Sequence, residues 1–177
     1  MRILFITFLF FAPFFMFAQS AAQKYIDTYS PLAIEVLAKY QIPPSLILGI
    51  ALHESASGTS KLCRTKHNHF GVKARVKSSK SKSGYVTAYR TFATDEASYL
   101  HIGEMISKRK YYPGLKGDMD YMKWLKAMKA SGYARSSSWI SVIDKTIKRY
   151  DLTRLDKPSV PPVIHVPSPR DTLIRVK

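Results

Sequence analysis

Acidic residues are scarce in this chain: 12 Asp and Glu stand against 28 Lys and Arg, a formal net charge of +16 over 177 residues. A surplus of this size favours polyanionic partners through long-range attraction. Charge alone does not choose among cell-wall polymers, lipopolysaccharide or lipid headgroups and extracellular DNA, and a merely solvated basic surface stays open. Cysteine is almost missing. Cys63 stands alone, which excludes an internal disulfide framework and leaves stability to a packed core. We read it as a buried or incidental thiol rather than a nucleophile. No Gly-rich loop lies between a strand and a helix, so nucleotide-phosphate chemistry has no support. Ser55 lacks the strand-to-helix elbow of a serine hydrolase. His53, His67 and His69 fall in "HES…HNH", without the HExxH spacing that sets two ligands on one helix face, and we expect no metal. No internal repeat is present.

Long apolar runs are confined to the first residues. Met1-Arg2 precedes "ILFITFLFFAPFFMFA", and small residues follow at Ala18, Ser20, Ala21 and Ala22. That order reads as a secretory signal peptide over residues 1–20. The run is short for a membrane span and Pro13 interrupts it. No Cys lies near it, which argues against a lipid anchor. We therefore expect an exported protein of the periplasm, the cell envelope or the medium. Its removal leaves roughly 155 residues, enough for one domain with a real core.

Helical patterns dominate after residue 24. "SPLAIEVLAKY" offers Ser30 as N-cap and Pro31 at the first helical position, with Leu32, Val36, Leu37 and Tyr40 on one stripe. "IPPSLILGIALHES" follows, bounded by two prolines and Gly58. "ATDEASYLHIGEMIS" starts at a Thr94 cap, sets Asp95 and Glu96 in the positive first turn, and repeats Tyr99, Ile102 and Ile106. "DYMKWLKAMKASG" carries Tyr121, Leu125 and Met128, and "SSSWISVIDKTIKRY" carries Trp139, Ile143, Ile147 and Tyr150. Five amphipathic helices with short connections predict a mainly α domain. One segment departs. Residues 72–92 hold Lys73 and then five more Lys and Arg without an acid, ending in the alternating "GYVTAYRTF". The pattern predicts an inserted cationic β-hairpin or flap, with a disordered Lys/Ser loop as the other reading of its tip. The segment 156–177 has five prolines and no helical period, and reads as an extended peripheral tail.

One of the few acids sits where a core residue belongs. Leu46, Ile47, Ile50 and Ala51 form an apolar stripe, and Glu54 falls on it, four residues after Ile50 and three after Ala51. A carboxyl group there is partly withdrawn from water, and desolvation favours the protonated form that a general acid needs. Periodicity equally allows a helix-end glutamate that faces solvent or pairs with a lysine.

The neighbouring residues shift that balance. "ALHESASGTS", from Ala51 to Ser60, and "HNHFGVK", from His67 to Lys73, resemble the paired signatures of the bacterial N-acetylglucosaminidases of glycoside hydrolase family 73. "YRTFATDEASYLHIGEMI" and "SGYARSSSWISVIDKTIKRYDL" are similar to later segments of that family in order and spacing. The resemblance runs from about residue 28 to residue 152. It implies a lysozyme-like helical domain, here residues 24–155, with the small β-hairpin lobe inserted. It makes Glu54 the catalytic acid and puts Tyr133 on the active-site floor, where the residues alone favour a core tyrosine at a helix junction. Asn68, Phe70 and Gly71 would shape the turn beside the cleft, and Tyr85, Tyr89 and Lys77 of the flap would contact substrate.

The substrate implied is peptidoglycan glycan strands cut after N-acetylglucosamine, with anionic envelope polymers as further partners. We expect no cofactor, no nucleic-acid partner and a monomer. Two departures from the family pattern matter. Ser57-Gly58 replaces a usual Trp-Gly, so an aromatic wall is missing or supplied elsewhere. The flap also lacks the second carboxylate that many members carry, and Asp95 and Glu96 read better as helix-dipole partners. Hence we expect a substrate-assisted reaction with retention. A muramidase or lytic transglycosylase of the same fold, and a non-catalytic basic wall-binding protein, are the alternatives.

Overall fold

The computed structural model describes residues 20–77, 82–83 and 85–157. The signal segment before Ser20, the tail after Lys157 and the flap-tip residues 78–81 and 84 lie outside the described residues. The chain runs α1 (Ala21–Tyr40), α2 (Pro44–Glu54), α3 (Lys61–Lys66), β1 (Lys73–Lys77), β2 (Tyr85–Tyr89), α4 (Asp95–Ser107), α5 (Tyr112–Leu115), α6 (Tyr121–Ala130), α7 (Trp139–Arg149) and a closing 3-10 turn (Leu152–Leu155). It is a mainly α fold with one small antiparallel sheet, as the hydrophobic periods predict.

The core is built around α2. Its buried surface is not one stripe, as the period suggests, because every residue from Pro44 to Leu52 is buried. A helix apolar on all sides can satisfy itself only inside the protein, and α1, α6, α7 and the 3-10 turn enclose it. Gly49 sets the closest approach: a Cβ there would lie 2.7 Å from Cγ1 of Ile147 on α7. The start of α2 lacks a side-chain cap of its own. Asp156 supplies one from the far end of the chain, accepting from Ser45 N at 2.8 Å and from Ser45 Oγ at 2.6 Å. The sequence puts Asp156 at the start of the tail; the structure makes it part of the domain, since a buried carboxylate here satisfies a first-turn N–H.

Helix α1 corrects a second reading. Ser30-Pro31 looks like a helix start, yet the helix begins ten residues earlier, capped by Ser20, whose Oγ accepts from Gln23 N. Tyr25, Ile26, Ala33 and Val36 are buried along one stripe that continues past Pro31. A proline inside a helix removes one N–H and crowds the preceding turn, and here the Ser30 hydroxyl donates to the Ile26 carbonyl in that turn. Tertiary burial of this stripe outweighs the local start signal. Helices α3 and α5, of six and four residues, were too short to show a period.

The hairpin pairs Lys73 with Tyr89 at its root and Lys77 with Tyr85 four residues out. Arg90 N to Val72 O (2.8 Å) closes its root, and Phe92 N to Lys66 O (2.9 Å) ties it to α3.

Candidate active site

Glu54 is the last residue of α2. Beyond it the chain turns sharply: Ala56 and Ser57 adopt left-handed φ of 51° and 54°, and Ser55 Oγ accepts from Gly58 N at 2.8 Å. The helix therefore delivers Glu54 half-buried at the core's edge. Its two oxygens have different surroundings. Oε1 accepts from the indole Nε1–H of buried Trp139, at the start of α7, at 3.2 Å. Oε2 is directed toward Gly71, where an added Cβ would stand 3.8 Å from it. Gly71 has φ +63° and brings backbone rather than side chain to the carboxyl group. A proton on Oε2 would thus face open space while Trp139 fixes the other oxygen.

That space is a cleft of about 440 Å³. Glu54, Phe70, Gly71, Tyr89 and Tyr133 all line it, so five residues singled out from the sequence converge. Phe70 is seated by an edge contact on Tyr99 of α4, with ring centroids 5.0 Å apart. Tyr133 packs against Trp139 at 5.3 Å. Burial and the nearby Glu54 carboxylate push the Tyr133 phenol far above its ordinary value, so it stays a neutral hydrogen-bond donor.

Asn68 shapes the turn from within: its Nδ2 donates to Val72 O (2.9 Å) and Arg90 O (2.8 Å), and its Oδ1 accepts from Val72 N (2.9 Å). It clamps the root of the hairpin, because a buried amide must spend all its groups on partners. Lys77 is exposed at the far end of β1, about 13 Å along the strand from the root at ordinary strand rise, and does not line the cleft. Tyr85 is its ladder partner, and its side chain lies outside the described residues. Ser57 does not line the Glu54 cleft but a separate groove with His53 and Arg149. An aromatic at that position would not wall this cleft. Trp139 and Tyr133 supply the aromatic surface beside Glu54 instead.

The histidines resolve into structure. Asp95 accepts at Oδ1 from His67 Nδ1 (2.7 Å) and His69 Nε2 (2.9 Å), and at Oδ2 from the Tyr29 hydroxyl (3.0 Å). His69 Nδ1 meets the Tyr25 hydroxyl at 2.6 Å, which in turn lies 3.0 Å from the Tyr99 hydroxyl. Among the described residues no group of three or more His, Cys, Asp or Glu is arranged to hold a metal ion, and His53 lies on the separate groove. Burial raises the Asp95 carboxyl, but hydrogen bonds from His69, His67 and Tyr29 outweigh it and hold the group below its usual value. Burial likewise keeps His69 below its ordinary value, against the pull of Asp95. His69 is then neutral, donating from Nε2 and accepting at Nδ1.

A histidine held neutral in the fold, but free to protonate once unfolded, removes stability as pH falls below its ordinary 6.5. His101, lowered by burial and by Arg90, adds to the same phase. Asp95 contributes stability above its ordinary 3.8, and that contribution is lost as pH falls through its depressed folded value. Thermal melts should therefore weaken in two steps on acidification, the first beginning near pH 6.5. His69→Gln should shrink that first step, and a wild type with constant stability across it would contradict the assignment.

Sequence reasoning missed several residues of the site, among them Lys73. Trp139 reads as an ordinary α7 core residue, and only its place six residues after Tyr133 hints otherwise. Met105 and Arg109 line the cleft from the end of α4 and the turn after it, where no local pattern marks them.

The chain is similar to known proteins over most of its length. The family model described as mannosyl-glycoprotein endo-beta-N-acetylglucosaminidase matches residues 30–152. The exo-glucosaminidase LytG of Bacillus subtilis (strain 168) is 30% identical over 152 residues, covering 76% of this chain and 54% of that protein. The chain thus spans about half the length of this curated relative. Among solved structures, the catalytic domain of the Listeria monocytogenes autolysin Auto superposes with a TM-score of 0.60 at 21% identity, covering 78% of this chain and 89% of that one. The glycoside hydrolase domain of Salmonella typhimurium FlgJ gives 0.59 at 18% identity, covering 75% and 90%.

Proposed function

The chain belongs to the glucosaminidase family, glycoside hydrolase family 73, and from that premise we propose that it is an exported peptidoglycan hydrolase cutting the β-1,4 bond after N-acetylglucosamine. The observation that carries this reading is the carboxylate inventory of the cleft. Glu54 is the one carboxylate that lines it among the described residues. Asp95 has both oxygens occupied in the histidine network, and Glu104 is paired with Lys108 at 2.6 Å. A mechanism with a single protein carboxylate accounts for that arrangement.

In the first step Glu54 gives the Oε2 proton to the glycosidic oxygen as the C1–O bond breaks. The carbonyl oxygen of the substrate's 2-acetamido group attacks C1 from the opposite face and closes an oxazolinium ring. In the second step the Glu54 carboxylate takes a proton from water, whose oxygen attacks C1 and reopens the ring. The acetamido group and the acid are both restored, and two inversions give net retention. Tyr133, a neutral phenol beside Glu54, is suited to hold the acetamido group in place. The exposed flap residue Lys77, with its ladder partner Tyr85, would extend contact along the strand and toward anionic polymers.

Export rests on the signal peptide read at residues 1–20. No helix of the described residues is long and apolar enough to cross a membrane. The reading is tested by mass spectrometry of digested sacculi. Reducing N-acetylglucosamine ends are expected, with long early products if cutting is internal and disaccharides from the outset if it proceeds from strand ends. Anhydromuramyl ends would instead identify a lytic transglycosylase.

A further inference from the structure

Two cations line the cleft that holds Glu54. Arg109 comes from the turn between α4 and α5, and Lys73 opens β1. The backbone of Arg109 is fixed, with its N–H donating to Ile106 O at 3.0 Å and its carbonyl accepting from Tyr112 N at 3.0 Å. Lys73 is held over the Tyr89 ring, its Nζ 5.3 Å from the centroid. Neither forms an ion pair with a described carboxylate. The nearest acid of α4 in sequence, Glu104, is taken by Lys108 and faced by His101. Most described cations are exposed, and there lack of a partner says nothing by itself. These two are exposed inside the concavity that carries the reacting acid, with Tyr133 lining the same cleft.

A neutral polymer of N-acetylglucosamine gives two such cations nothing to bind. A peptidoglycan strand does, because every second sugar bears a lactyl group that ends in a carboxylate or continues into an acidic peptide. The sugar beyond a bond cut after N-acetylglucosamine is that one. A guanidinium presents a planar fork that matches a carboxylate.

We propose that Arg109, with Lys73 beside it, is a specificity-determining residue that binds the carboxylate carried by the sugar flanking the scissile bond, and so selects acidic glycan strands over neutral ones. The proposal rests on the glucosaminidase reading above and names what that site prefers.

The test compares wild type and Arg109→Gln on neutral chitin oligosaccharides, on peptide-stripped strands with free lactyl carboxylates, and on peptide-bearing strands. Wild type should favour an acidic substrate. Arg109→Gln should lower the acidic-to-neutral ratio of kcat/KM about tenfold, mostly through KM, as for loss of one partly desolvated ion pair. Arg109→Lys should restore part of it, and thermal melts of each variant report on folding. A loss on stripped strands assigns the lactyl carboxylate, and a loss only on peptide-bearing strands assigns the peptide's. An unchanged ratio in a well-folded variant overturns the proposal alone. A wild type that cuts none of the three substrates overturns the glucosaminidase reading and this proposal with it.

Discussion

Glu54→Gln is expected to lower kcat on peptidoglycan by roughly 10³-fold, the typical contribution of a general acid, or about 4 kcal/mol of transition-state stabilisation. Glutamine keeps the shape of the side chain and a carbonyl oxygen for the Trp139 indole, now 3.2 Å from Oε1. It loses only the proton that Oε2 would deliver. Folding should therefore change by less than about 1 kcal/mol, and the basic surface should retain its attraction for sacculi. The expected result is a protein that sediments with cell walls as wild type does but no longer lyses them. Equal lysis by the two proteins would sink the enzyme reading, and would favour a non-catalytic wall-binding protein.

The second large effect is stereochemical. Glycosidases ordinarily divide the work between two carboxyl groups, and their separation decides between inversion and retention. Here the second group is missing from the cleft among the described residues. Asp95 is the acid nearest the flap in sequence, yet each of its oxygens already accepts a hydrogen bond, and releasing them would leave His69 unsatisfied in the core. An isolated buried polar group costs about 1–3 kcal/mol, which opposes recruiting Asp95 as a base. If water were the direct nucleophile, nothing found in the cleft besides Glu54 could take its proton. With the acetamido oxygen as nucleophile, Glu54 serves as acid and then as base, and the product must keep the substrate's anomeric configuration.

Much of the fold was legible because burial repeats with the helix period. Tyr99, Ile102 and Ile106 on α4, and Trp139, Ile143 and Ile147 on α7, are buried as their spacing predicts. Pro31 misled because proline at a helix start and proline tolerated within a helix look alike locally. Only the tertiary burial of Tyr25 and Ile26 separates them. Glu54 was legible as an acid on an apolar stripe, and Gly71 and Tyr133 through family resemblance. What periodicity does not carry is direction. Asn68 stands two residues before Phe70, yet one faces the protein interior and the other the cleft. Trp139 meets its period as a core residue and still donates to the Glu54 carboxyl group, since an indole can pack and hydrogen-bond at once. Arg109 reaches the cleft only because α4 ends beside it, a fact of tertiary packing and not of local sequence.

The central claim is that one protein carboxylate and the substrate's own acetamido group share the reaction. Proton NMR of freshly released sugar, recorded before mutarotation, tests it most directly. The account predicts that the new reducing N-acetylglucosamine appears first as the β-anomer. An α-anomer as the first product would mean single displacement by water, and would require a base that this cleft was not found to contain.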